Sequence, residues 1–443
     1  MQSKYLNYFY FKLKKGENMK KRKFALFLNI ASICLAICAI AIGVYSIKTA
    51  SLKVGGSLGF VAHNAKVNIK AYMYGFSTAE SGENPVTETN KVQLTADGGL
   101  NIDGNNGEVN IQSTKGTGTT KRYFSDASGD LEPITIVLTI TNNSNFEVLL
   151  EDLTVDSSDY FIICDTPLKV LYTSSTPAKQ TTTLTYEIRP AFKDDGKYKE
   201  LTNASVSISM SFTKTNVDRA STGFTLNETT KTVTGLPTLE QNGGSDILII
   251  PSVFSDKSGV TFTTLGDSSS AECITNAKLY KKIVILDGYT ALNGKIFYQC
   301  SNLNYLDVPD TVTNVSSQEG FHESGLIYIP KAILNFIKNS VYFNKCTKLK
   351  YANVPETVKS LSSPTFSGCS NLQLIKLPKS LTRINFTGVF DGCSSLKRLE
   401  FGDTSKTWSV GMDPNTVEMS VANPIQNAIY AKAHPWDPWT KNS

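Results

Sequence analysis

Eight cysteines and three histidines are the residues of this chain best suited to chemistry. Zinc sites draw thiolates and imidazoles from close pairs such as C-x-x-C. No such pair occurs, and His63, His322 and His434 lie far apart in sequence. So few histidines also leave little scope for imidazole acid–base catalysis. Cys34 and Cys38 sit in an apolar stretch, Cys164 and Cys273 are isolated, and Cys300, Cys346, Cys369 and Cys393 recur inside similar sequence. No G-x-S-x-G, H-E-x-x-H or phosphate-binding glycine loop is present. Asn101, Asp103 and Asn105 alternate like calcium ligands, but the glycine falls at 107 and no acid stands at 112, which disfavours an EF-hand. The pairs Asp152/Asp156 and Asp194/Asp195 read as solvated faces. The expectation is therefore no enzyme, no metal and no cofactor.

The recurrent cysteines belong to a longer pattern. Phe297-Tyr-Gln-Cys300-Ser-Asn-Leu303-Asn-Tyr-Leu306-Asp-Val308-Pro309 is echoed from Phe343, Phe366 and Phe390, and Phe321 opens a shortened copy that reaches Pro330. The five phenylalanines are 24, 22, 23 and 24 residues apart. Apolar residues recur six, nine and eleven positions after each Phe of a full unit. The last two flank an outward residue, as in a short strand, and the proline that follows in three of the four full units cannot donate to a ladder and ends it. One such coil cannot bury its apolar side alone, whereas stacked coils form a continuous core. The cysteines then read as small buried packing residues; Ser324 replaces one of them, so no bond through that position is required. Tyr280, Ile283 and Ile285 fit a degenerate upstream copy.

The run Leu372-Gln-Leu-Ile375-Lys-Leu377-Pro378-Lys-Ser380-Leu381-Thr382-Arg-Ile384, then Phe390 and Cys393, resembles the BspA-type leucine-rich repeat of bacterial surface proteins. The resemblance covers about residues 221–402. It implies a solenoid and a non-enzymatic adhesion or recognition role, with an N-terminal cap near Phe224–Gly235 and a closing strand segment after the array. The chain departs from the pattern at the residue before each Phe, usually Ala and here Ile296, Gly320, Tyr342, Thr365 and Val389.

Upstream, alternation with period two over Ala65–Gly75, Pro133–Asn142 and Ala204–Phe212 predicts strands with one buried face. Together with Tyr160–Cys164 and Thr182–Pro190 they point to a β-sandwich. Leu94–Gly118, rich in Gly, Asn, Thr and Asp, reads as a long exposed loop. Residues 24–47 carry no charge and follow the basic run Lys20–Lys23, so they read as a membrane anchor or a signal peptide, with the remainder outside the cell. Residues 1–50 hold nine Lys/Arg and one acid, +8, so the remaining chain carries 5 − 8 = −3. That balance does not suit nucleic acid.

The expected architecture is mainly β: an N-terminal transmembrane or signal helix, a β-sandwich, then a leucine-rich-repeat solenoid with a β-rich C-terminal cap. The divisions are 1–18 (an untranslated or cytoplasmic leader ahead of Met19), 19–50, 51–214, 215–402 and 403–443. The expected function is surface-displayed binding of an extracellular protein or glycan. The alternative is a structural subunit that self-assembles through sandwich edges. The candidate contact residues are outward ones on the repeat ladder. Asp307, Tyr328, Asn353, Lys376 and Glu400 form one column, with Tyr328 placed by its distance from Pro330, and Tyr305, Tyr351 and Arg398 lie in the column beside it.

Overall fold

The computed structural model describes residues 51–442 apart from 53–54, 64, 78–84, 104–106, 111–121, 125–132, 155, 200–204, 216–218, 269–272, 317–318, 338–340, 363, 386–387 and 413–414. The apolar segment 24–47 lies outside the described residues. Among those described, no helix is long and apolar enough to cross a membrane.

Alternation in the first half builds two facing sheets. In one, Tyr160–Cys164, Thr181–Pro190, Ile134–Asn142 and Lys66–Tyr74 pair antiparallel in that order. In the other the order is Leu168–Leu171, Val148–Asp152, Ser205–Lys214, Gly55–His63 and Gly107–Asn110. Inward residues such as Ile136, Leu138, Val206 and Ile208 are fully buried between the sheets. Gly55–His63 runs parallel to Ser205–Lys214, joining the two ends of the sandwich sequence in one sheet. The segment expected as a loop is only partly one. Leu100–Asp103 pairs with Lys66–Tyr74, and Gly107–Asn110 pairs with Gly55–His63, so it lends a strand to each sheet. Composition concealed this because the Asn and Gly residues serve the turn: Gly99 has φ +79°, and the Asn68 amide donates to the Gly98 carbonyl and to Asn101 Oδ1.

The second half is a β-solenoid of about five turns. Each coil but the shortened one gives a short strand to a parallel ladder: Ile247–Ile250, Lys282–Ile285 and Tyr305–Asp307, then Tyr351–Asn353, Leu374–Leu377 and Arg398–Phe401. A second row of two-residue strands, such as Ser360–Leu361 and Arg383–Ile384, runs along another side. The repeat phenylalanines stack coil upon coil, with ring centroids 5.4 to 6.5 Å apart from Phe297 to Phe390. The repeat cysteines Cys300, Cys346, Cys369 and Cys393 are free and buried. Each of Cys346, Cys369 and Cys393 donates to the carbonyl of the Phe that opens the preceding coil, at 3.1, 3.1 and 3.2 Å. The residue two places after each Phe is left-handed, with φ between +55° and +75° at Gln299, Glu323, Lys345, Gly368 and Gly392. At the far end Trp439–Lys441 pairs antiparallel with Arg383–Ile384, and strands Thr407–Val410 and Val417–Ser420 extend this edge. The helix Pro424–Ala433 packs on Arg398–Phe401. Asn423 caps its N-terminus, and the buried Asn427 amide donates to the Leu399 and Val421 carbonyls.

Candidate functional site

The ladder that the sequence offers to solvent is covered. The sandwich lies on it with one edge strand from each sheet, Tyr160–Cys164 and Leu168–Leu171. Leu149, Leu168 and Val170 share a small apolar core with Val284 of the second ladder strand and with Leu286 just beyond it, and Tyr305 packs on it. Phe161 stacks on Tyr351. Among the described residues ion pairs join the two halves at Lys169–Asp307, Lys179–Asp287, Glu151–Lys282, Asp156–Lys350, Glu187–Lys376, Arg189–Glu400, Asp194–Lys397 and Glu147–Arg219.

Of the eight candidate contact residues only Asn353 is exposed. Asp307 and Arg398 are buried, and Tyr305, Tyr328, Tyr351, Lys376 and Glu400 are half-buried. Period two established that these side chains leave the solenoid core, but carries no information about a second domain lying on them. At the far end of the ladder Arg398 is held by Glu400 at 3.3 Å, and its guanidinium lies 4.7 Å over the Tyr198 ring. Arg189, almost wholly buried, donates to the Tyr198 hydroxyl and reaches Glu187 and Glu400. These carboxylates and the Tyr198 oxygen keep Arg189 firmly charged against the desolvation that opposes it.

Tyr328 changes column. The Ile327 N–H donates to the Asn304 carbonyl and the Lys350 N–H donates to the Ile327 carbonyl, which puts Tyr328 level with Tyr305 and Tyr351. The Tyr305 and Tyr328 rings are 5.7 Å apart. The short coil has lost one residue between Ser324 and Leu326, and Gly325 bridges the gap; a Cβ there would stand 2.1 Å from the Ser301 carbonyl oxygen. Counting back from Pro330 therefore misplaces Tyr328. Pro330 arrives early, level with Asp307, where it cannot donate to a ladder, and Lys331–Leu334 turns away as a helix. The ladder consequently splits into two three-stranded sheets at this coil.

Where the ladder breaks, the interface opens. A cleft of about 380 Å³ lies between Ile163, Cys164, Asp165, Thr185 and Glu187 of the sandwich and Tyr328, Leu334, Asn335, Tyr351, Asn353 and Lys376 of the repeats. A second lobe of about 370 Å³ continues past Tyr328 and is lined by Lys169, Tyr172, Thr181, Asp287, Asp307 and Asp310. Asp165, Tyr328 and Lys331 line both lobes. Both volumes suit a small ligand. Burial pushes the Asp307 carboxyl up to about 6, with Asp287 and Asp310 adding to the push and Lys169 opposing it. Burial also drives the Cys164 thiol and the Tyr328 hydroxyl well above their ordinary values, so both hold their protons at neutral pH and neither is a ready nucleophile. Among the described residues no group of acids, cysteines and histidines could hold a metal ion.

The sandwich side of this site escaped the sequence reading, although a signal existed. Tyr160–Cys164 reads Tyr-Phe-Ile-Ile-Cys without a polar alternate, the mark of a strand covered on both faces. On the repeat side Val284 and Ile249 are apolar at outward positions of their strands.

Comparison with known proteins gives the repeats a family. Residues 267–397 match the sequence model of the BspA type leucine-rich repeat region in six copies. No curated protein matches the chain. Among solved structures it is similar to a leucine-rich-repeat protein of T. pallidum, at 19% identity over 40% of this chain and 78% of that one, with a TM-score of 0.29. A leucine-rich cell surface protein of Faecalibacterium prausnitzii aligns at 20% identity over 45% of this chain and 57% of its own, with a TM-score of 0.30. A leucine-rich-repeat protein of Bacteroides ovatus aligns at 24% identity over 35% and 37%, with a TM-score of 0.22. The stacked phenylalanines and carbonyl-bound cysteines of residues 267–397 are thus the interior of a BspA-type leucine-rich-repeat region.

Proposed function

We propose that the protein is a surface-associated, non-enzymatic binding protein that takes its ligand in the cleft between sandwich and repeats, not on an open ladder. One observation carries this reading: the ladder is closed by the sandwich except at the shortened coil, where Tyr328, Tyr351 and Asn353 face Cys164, Asp165 and Thr185 across about 380 Å³. Binding at the junction of two rigid units is a common use of such clefts. The alternative, assembly through free sandwich edges, has less to work with, because Tyr160–Cys164 and Leu168–Leu171 both lie against repeats.

The test uses the full chain in detergent micelles on an array of glycoproteins, glycans and peptides. Asn353→Trp places a bulky ring in the cleft from an exposed position, and Lys359→Trp, also exposed but absent from the lining, is its control. Saturable binding lost in the first variant and kept in the second is expected. Binding that survives Asn353→Trp would move the site elsewhere.

A further inference from the structure

Resting on that reading, we infer that the cleft is built for a neutral, polyhydroxylated ring, a hexose unit of a glycan. The argument begins with what is left over. Three lysines of the two lobes are engaged, Lys376 with Glu187 at 2.9 Å, Lys169 with Asp307 at 3.2 Å and Lys179 with Asp287 at 3.1 Å. Among the described residues Lys331, Asp165 and Asp310 form no ion pair; Asp165 Oδ1 accepts from the Thr185 N–H and its carboxylate feels the Lys331 charge, which leaves each lobe with groups of both signs that keep hydrogen-bonding capacity for a ligand. The Tyr328 hydroxyl and the Asn353 amide likewise have no hydrogen-bond partner among the described residues.

Mixed donors and acceptors suit one chemistry best. An anion meets Asp165, and a cation meets Lys331; either leaves a like charge desolvated beside it. A sugar hydroxyl donates and accepts at once, so it can satisfy the ammonium, the carboxylate, the amide and the phenol together. Most of the exposed wall of the first lobe is apolar, from Ile163, Leu334, Pro355 and two tyrosines, with Thr185, Asn335 and the Glu187–Lys376 pair among them. Phe161 packs on Tyr351 and Tyr305 on Tyr328, which holds both rings in place. The carbon face of a pyranose is apolar and lies flat on such a ring. A fixed aromatic wall with polar groups around it also costs little ordering entropy on binding.

The experiment titrates the full chain in micelles with neutral disaccharides of glucose, galactose and N-acetylglucosamine, with a sialylated trisaccharide, and with a lysine-rich and a leucine-rich peptide. At least one neutral disaccharide should bind saturably. Its affinity should change by less than about twofold between about 0.05 and 0.5 M salt, because no net charge is transferred. Tyr328→Phe, which removes only an oxygen, and Asn353→Ala, at an exposed position, should each weaken it about 5- to 10-fold, the worth of one hydrogen bond. Circular dichroism should show both variants folded as wild type. If only a charged saccharide or a peptide binds, and Asn353→Trp abolishes it, the ligand class is overturned and the cleft stands. If no probe on the array or in the titration gives binding sensitive to Asn353→Trp, the cleft reading falls too.

Discussion

Phe161 of the sandwich stacks on Tyr351 of the repeat ladder, with ring centroids 4.8 Å apart and planes 14° from parallel. The pair ties an edge strand of one domain to an outward column of the other, so the two halves should unfold together. Phe161→Ala removes a buried ring and should cost about 3 kcal/mol. The expected readout is a melting curve that separates into two transitions. A single transition shifted by less than a degree would mean that the contact holds nothing.

The role of Glu400 separates a contact residue on an open ladder from a clamp between domains. Its carboxylate meets Arg398 at 3.3 Å and Arg189 at 3.6 Å, both arginines being almost fully buried. Removing one partner of a buried ion pair typically costs about 3–5 kcal/mol; less is expected here, because Arg189 keeps Glu187 and the Tyr198 hydroxyl. Glu400→Ala should therefore lower stability in denaturant titrations, whether or not ligand is present. A variant as stable as wild type that has lost ligand binding would restore the open-ladder reading.

The period of 22 to 24 residues made the solenoid legible because every coil repeats one solution to one packing problem. The sandwich strands were legible for a similar reason: Ile134, Ile136, Leu138 and Ile140 fall at every second position, with Thr135, Val137 and Thr139 between them. Domain docking obeys no such periodicity. Lys350 meets Asp156 and Lys376 meets Glu187 across 194 and 189 residues of sequence, and either lysine alone reads as a solvated strand residue. Three tyrosines in one outward column, Tyr305, Tyr328 and Tyr351, were the better hint, but the deletion at Gly325 hid the second of them.

Asp307 gives the interface a pH signature. Burial, then Asp287 and Asp310, raise its folded-state pKa to about 6 against the pull of Lys169, from an ordinary value of 3.8. Between these two values the folded protein binds more protons than the unfolded one, so this group's contribution to stability falls as pH rises through the window and is level above it. The slope is at most roughly 1.4 kcal/mol per pH unit. Asp307→Asn should flatten the difference in stability between pH about 4 and 6. An unchanged profile would show that Asp307 ionises normally in the fold.

The cysteine column makes a chemical prediction. Burial pushes the Cys346 and Cys393 thiols up to about 12 and Cys369 well above its ordinary value. Thiolate is the reactive form, so none of the three should react with iodoacetamide at pH about 8 until denaturant is added. Cys369→Ser keeps a donor for the Phe343 carbonyl and should cost less than Cys369→Val, which removes the donor. Rapid native labelling of Cys369 would contradict its place in the core.

Gly325 is where one missing residue becomes a cleft. The coil takes its shortcut there because nothing larger than hydrogen fits against Ser301, whose carbonyl oxygen would lie 2.1 Å from a Cβ. The shortcut brings Tyr328 level with Tyr351 and Pro330 into the strand too soon, and the ladder parts. Gly325→Ala must push the backbone away from Ser301 and should destabilise by about 2 kcal/mol or more. It should also move Tyr328, and so weaken ligand binding well beyond the loss from Tyr328→Phe. The matching gain lies at Lys345, left-handed at φ +56°, where Lys345→Gly should relieve strain of roughly 1 kcal/mol and leave binding unchanged. Chemical denaturation of both variants, read beside binding of a cleft ligand, tests the chain of cause from a deletion in one repeat to a site between two domains. Equal binding by Gly325→Ala and wild type would break it.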